Sequence, residues 1–85
     1  MKTTVTFMTC NSAHSKTTTN MIRKDGESDM ELTQRAVAKL YGARCFFHRD
    51  NGLRHGIYGQ VFRRASRNCD SASSVTMQVR VDIEG

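Results

Sequence analysis

Three histidines and three cysteines supply the ligand and nucleophile chemistry of this chain, and their spacing decides what they can do. Cys45 and His48 are separated by two residues, but both lie in a segment patterned as a strand, where that spacing sends them to opposite faces. His48, His55 and Cys69 have none of the C-x₂-C or H-x₃-H intervals of a zinc site. Cys45 reads as a small core residue, and Cys10 and Cys69 as reduced thiols outside any disulfide framework. The carboxylates Asp25, Glu27, Asp29 and Glu31 crowd one helix start, where capping and the helix dipole account for them. Gly56-x-x-Gly59 falls inside a strand rather than ahead of a helix, so it is no phosphate loop. The expectation is a chain that is not an enzyme, with no catalytic residue, no metal and no cofactor.

Binding chemistry is better represented. Ala43 to Arg64 reads ARCFFHRDNGLRHGIYGQVFRR, two apolar and aromatic runs joined by Asp50-Asn51-Gly52. Asn-Gly between such runs signals a hairpin. Arginines at 44, 49, 54, 63 and 64 are threaded among Phe46, Phe47, Tyr58 and Phe62. Guanidinium groups suit phosphate, carboxylate and ring stacking, and every cation of the second half is Arg. Rings and cations on one sheet face are the elements of single-strand-binding sheets. Arg and Tyr also anchor protein interfaces.

The elements that must position these residues follow from periodicity. Lys2 to Thr9 alternates Thr3, Val5 and Phe7 with Thr4, Thr6 and Met8, a half-buried strand. Lys16 to Lys24 is a second strand of low apolar content, expected at a sheet edge, where Arg23 and Lys24 discourage further pairing. Ser28-Asp29-Met30-Glu31 matches a capping box, with Ser28 at the N-cap. Leu32, Ala36 and Leu40 then form one helical stripe flanked by Val37 and Tyr41. Gly42 is placed to end the helix in the left-handed conformation. Ser66 to Ser74 is small and polar, a loop. Val75, Met77, Val79, Val81 and Ile83 alternate with Thr76, Gln78, Arg80 and Asp82, which predicts one long strand with a core face.

The hairpin register matters because a one-residue slip exchanges its faces. A two-residue loop at Asn51-Gly52 would set His48 opposite His55 and Phe46 opposite Ile57. A three-residue loop, Asp50 to Gly52, would set Arg49 opposite Leu53 and Phe47 opposite His55. The second gathers Cys45, Phe47, Leu53, Ile57 and Val61 on one face and is favoured. It leaves Arg44, Phe46, His48, Arg54, Tyr58, Gln60, Phe62 and Arg64 on the other, joined by Gln78 and Arg80. The candidate partner-binding residues are therefore Arg44, Phe46, His48, Arg54, Tyr58, Arg64 and Arg80. Gly56 and Gly59 mark a bulge or a close approach of a neighbour.

Together these elements predict an α+β fold in the order ββαβββ, an antiparallel sheet of about five strands with one helix on one face. Eighty-five residues make a single domain, 1–85, with a modest core. Net charge is +5, and it is uneven: residues 43–80 hold seven Arg against Asp50 and Asp70. No apolar run fits a membrane span or a signal peptide, so a cytoplasmic protein with no membrane partner is expected.

A strand pair, one short helix ending near an aromatic hairpin, and a final strand, with the junction AVAKLYGARCFF, resembles small phage-encoded anti-CRISPR proteins of type I systems. Those are compact ββαβββ domains that bind a crRNA-guided surveillance complex and stop it from engaging target DNA. The resemblance implies an inhibitor acting in the host bacterial cytoplasm, with protein subunits of a CRISPR effector complex as partner. It transfers no individual residue role. The alternatives are a direct DNA- or RNA-binding phage or plasmid regulator, and an interaction module for another host protein. Monomer and dimer both fit the pattern.

Overall fold

Alternation of period two dominates this chain, and the computed structural model, which describes residues 2–50, 55–66 and 71–85, turns it into one sheet. The elements are β1 (Lys2–Thr9), β2 (Lys16–Ile22), α1 (Asp29–Tyr41), β3 (Cys45–Arg49), β4 (Ile57–Arg64), β5 (Ala72–Ser74) and β6 (Val79–Glu84). All pairings are antiparallel, in the order β2-β1-β6-β4-β3, with β5 beside β4. The class is α+β, as expected. The three residues of β5 add a sixth strand inside the stretch Ser66–Ser74, which the pattern marked as loop.

Odd-numbered residues point inward across the sheet. Val5, Phe7, Met21, Cys45, Phe47, Val61, Val79 and Val81 are buried against Leu32, Ala36 and Val37 of α1. Strand faces alternate and helix faces repeat every three to four residues, so the two apolar sets meet. Met30, Leu40, Tyr41, Ile57 and Ile83 close the rim of this core. Phe7 packs edge-on against Tyr41, with ring centroids 6.0 Å apart.

The helix starts as its sequence requires. The Glu31 amide donates to Ser28 Oγ at 3.1 Å, and the Ser28 amide donates to Glu31 Oε1 at 3.4 Å. At the other end Gly42 stops the helix, but not in the expected left-handed geometry. Its φ of 126° and ψ of 160° form an extended conformation that glycine alone adopts readily. A turn closed by Cys45 N donating to Gly42 O at 3.0 Å then carries the chain into β3.

The hairpin register differs from both expected ones. Arg49 pairs with Gly59, Phe47 with Val61 and Phe46 with Phe62. This shift exceeds the expected registers, and the connection between β3 and β4 is longer. Asn51 to Arg54, including Leu53, lie outside the described residues. The favoured three-residue register and the observed one differ by an even number of positions, so the face of each strand residue is unchanged. The observed pairing sets ring against ring and Phe47 against Val61, which matches apolar partners that the short loop would have opposed to His55. Gly59 makes it sterically feasible: a Cβ there would overlap the His48 carbonyl oxygen and lie 2.7 Å from Phe47 Cζ. Gly59 is thus the close approach that the sequence marked.

The long strand expected at Val75–Ile83 is interrupted. β4 pairs with β5 through its second half and with β6 through its first half, and two extra residues are accommodated between them. Val75 N donates to Val61 O at 2.8 Å, while the Val61 amide donates to Thr76 Oγ1 at 3.2 Å. A bulge of this kind frees the following side chains from the pleat. Val75 and Met77, expected in the core, are 38% and 50% exposed, whereas Val79 and Val81 are buried.

Both outer edges of the sheet are blunted by the helix. The backbone groups of Phe47 point away from β4, because the Arg44–Arg64 and Asp50–Tyr58 pairs carry the β3–β4 hydrogen bonds. The Gln34 amide takes them: Nε2 donates to Phe47 O at 2.7 Å and Oε1 accepts from Phe47 N at 2.8 Å. On the β2 edge, Lys39 Nζ donates to Asn20 O at 2.9 Å and Arg35 Nη2 donates to Ile22 O at 2.8 Å. One helix therefore reaches both edge strands and occupies groups that would otherwise template further pairing.

Candidate basic–aromatic interface

Even-numbered residues form the opposite sheet face, which no helix covers. Phe46, His48, Tyr58, Gln60, Phe62, Arg64 and Arg80 all lie on it through the registers of β3, β4 and β6. Arg44, one residue before β3, is placed beside Arg64 by the hydrogen bond from Arg64 N to Arg44 O, 3.1 Å. Arg54 lies outside the described residues. The structure thus brings the remaining six predicted residues together on one face.

Their arrangement is specific. Phe46 and Phe62 stack with centroids 5.9 Å apart and planes 23° apart. The Arg64 guanidinium sits over Phe46, 4.7 Å from its centroid, and His48 meets Phe62 edge-on at 6.1 Å. Cross-strand aromatic pairs and cation–π contacts stabilise such a row modestly, by about 0.5–1.5 kcal/mol per pair. The rings lie against each other and against Arg64, so their faces are partly taken. What the surface offers a partner is ring edges, the half-buried Phe46 and Phe62, and guanidinium N–H groups.

Arg44 and Arg64 lie at the end of β4 on this face, and Arg80 lies beside Tyr58 near its start. Arg80 donates to Asp82 Oδ2 at 3.1 Å, and Asp82 before Tyr58 holds its guanidinium protonated above the ordinary value. Arg80 is therefore a partly neutralised cation, and Asp82, two residues along the same strand face, is the partner that the sequence reading did not assign to it. Arg44 and Arg64 form no ion pair among the described residues. Arg44 Nη1 donates to Ala65 O at 2.9 Å, which fixes its side chain beside the strand end. Arg63, left out of the candidate set because it belongs to the inner-facing positions, is exposed where β4 ends.

At the other end a polar cleft of about 390 Å³ is lined by His48, Arg49, Asp50, Gly59, Gln60 and Gln78. Gln78 Nε2 donates to Asp50 Oδ2 at 3.0 Å across it. Gln78 thus reaches the hairpin from the bulged segment rather than from a regular strand position.

No family model, no curated protein and no solved structure matches this chain.

Cys45 and Glu27, by contrast, serve the fold. Cys45 is buried and its Sγ donates to Tyr41 O at 3.4 Å, a core role as expected; Cys10 is exposed, and Cys69 lies outside the described residues. Among the described residues no group of three His, Cys, Asp or Glu side chains converges as metal ligands would. Of the acidic cluster at the helix start, Ser28 and Glu31 form the cap, but Glu27 does something else. Arg35 holds it through Nε at 2.6 Å and Nη2 at 2.7 Å, a bidentate pair. The Arg35 guanidinium lowers the Glu27 carboxyl to about 2. Among the described residues no helix is long and apolar enough to cross a membrane.

Proposed function

We propose that this chain is a non-enzymatic cytoplasmic binding protein that docks its basic–aromatic sheet face on a nucleic-acid-bearing protein assembly. The type I CRISPR surveillance complex is the assembly that the anti-CRISPR resemblance implies. Docking there would place Arg44 and Arg64 where target DNA phosphates or acidic side chains normally lie, and would block engagement sterically. The observation that carries the reading is the uncovered row Arg64–Phe46–Phe62–His48 with Arg44 beside it. Pre-packed rings are rigid anchors that lose little entropy on association, and the Arg44 and Arg64 guanidinium groups, which form no ion pair among the described residues, steer an anionic partner.

A second reading, direct binding of DNA or RNA, draws on the same face. The mutual stacking of Phe46 and Phe62 counts against it, because bases need open ring faces on which to stack. The docking reading is therefore preferred.

Capture of effector complexes from a type I host lysate, with and without nuclease, tests both. Docking on protein survives nuclease treatment and is lost in the double variant Arg44→Glu, Arg64→Glu, whose circular dichroism stays that of the parent. Retention of interference by purified complexes in the presence of excess protein refutes the inhibitor reading. Gel shifts with free oligonucleotides that weaken steeply with salt would favour direct nucleic-acid binding.

A further inference from the structure

Where β4 ends, residues from positions of both sheet faces line a second cleft of about 280 Å³. It is lined by Arg44, Arg63, Arg64, Ala65, Ser73, Ser74 and Val75. Three arginines line this one small concavity, and among the described residues none of the three has a carboxylate partner. Arg44 is held by the Ala65 carbonyl through one nitrogen only, and Arg64 is held by the Phe46 ring. Arg63 pairs in register with Ser73, which lines the same cleft.

We infer that this cleft is a phosphate-binding site. A planar carboxylate with two oxygens is satisfied by one guanidinium fork. A tetrahedral phosphate has three or four oxygens and up to two charges, which three forks and a serine hydroxyl can engage together. The phosphate would come from a nucleic-acid backbone or from free phosphate, and the chemistry of the cleft is the same for both. The inference deepens the docking reading, since it shares Arg44 and Arg64 with that face. It adds Arg63 and Ser73, which belong to the inner-facing positions of β4 and β5.

Amide chemical shifts of the whole chain, followed during titration with inorganic phosphate, test the site. Saturable shifts confined to residues 63–65 and 73–75, absent with sodium chloride at equal ionic strength, support it. Arg63→Gln should weaken phosphate about tenfold, the loss of one charge-assisted contact, while Arg63→Lys loses less. A short single-stranded oligonucleotide that displaces phosphate from the same residues identifies a backbone source; failure to displace it, with phosphate still saturable, assigns the site to free phosphate. Shifts no larger than with chloride, or an Arg63→Gln variant that binds phosphate as tightly as the parent, overturn the inference. Failure of the docking reading is told apart by lysate capture: the parent would bind phosphate but retain no effector complex.

Discussion

Replacing Gln34 by Ala tests how this sheet is closed. The side chain makes two hydrogen bonds, of 2.7 and 2.8 Å, to the backbone of Phe47, which is itself 3% exposed. Its loss leaves one N–H and one C=O on the β3 edge without partners. A buried group left unsatisfied costs about 1–3 kcal/mol, and a bond replaced by water about 0.5–1.5. Gln34 is only half-buried, so water reaches part of the gap, and the better helix propensity of Ala returns a few tenths. The expected loss is about 2 kcal/mol, or a drop in Tm on the order of 8–16 °C for a domain of this size. Urea unfolding followed by circular dichroism measures the first, and hydrogen exchange at the Phe47 amide should lose protection in parallel. A variant within about 0.5 kcal/mol of the parent, the spread of neutral surface changes, with Phe47 still protected, would refute the reasoning. Gln34→Glu provides an internal control. It keeps the acceptor for Phe47 N but sets a carboxylate oxygen against Phe47 O. The protonated acid can donate there and the anion cannot, so this variant should gain on the parent as pH falls, and lose on it as pH rises through the carboxyl's raised folded-state value.

Glu27 works with the opposite sign. Its carboxyl is held at about 2 by Arg35, below its ordinary 4.5, so the pair's contribution is full above about pH 4.5 and is lost as pH falls toward 2. Glu27→Gln should flatten stability across that window, and an unchanged acid limb in the variant would show that other groups govern it. Gly59→Ala should destabilise by about 1–3 kcal/mol through overlap with His48 and Phe47, measured by thermal melting; a neutral result would mean that β3 and β4 can separate at no cost. Val79→Ala should cost about 2 kcal/mol while Met77→Ser stays within about 0.5, and equal costs would place Met77 in the core after all.

Local chemistry in the chain already contained the helix and its cap. Ser28 and Glu31 satisfy each other across one turn, and no distant residue is needed for that. The alternation of β1, β2 and the hairpin likewise assigned each side chain to a face, and those faces survived a large change of register because the change was even. The candidate residues Arg44, Phe46, His48, Tyr58, Arg64 and Arg80 share one surface for this reason. Other features depend on partners remote in sequence. The observed β3–β4 register sets Phe46 against Phe62 and brings the bare Cα of Gly59 against His48 and Phe47, contacts that neither short register expected from Asn-Gly would make. The bulge before Val79 arises because β4 must pair with two strands at once, which the unbroken alternation of residues 75–83 conceals. Arg80 was legible as a cation, but Asp82 and Tyr58 temper it. Gln34, polar and seemingly solvent-facing on a helical pattern, turned out to close an edge strand. Within β1 to β4, periodicity specifies which way a side chain points, and there the sequence determined that much unaided, whereas Val75 and Met77 escaped it at the bulge. What each side chain meets depends on strand order, helix position and the length of a connection, and only the assembled tertiary structure could decide those.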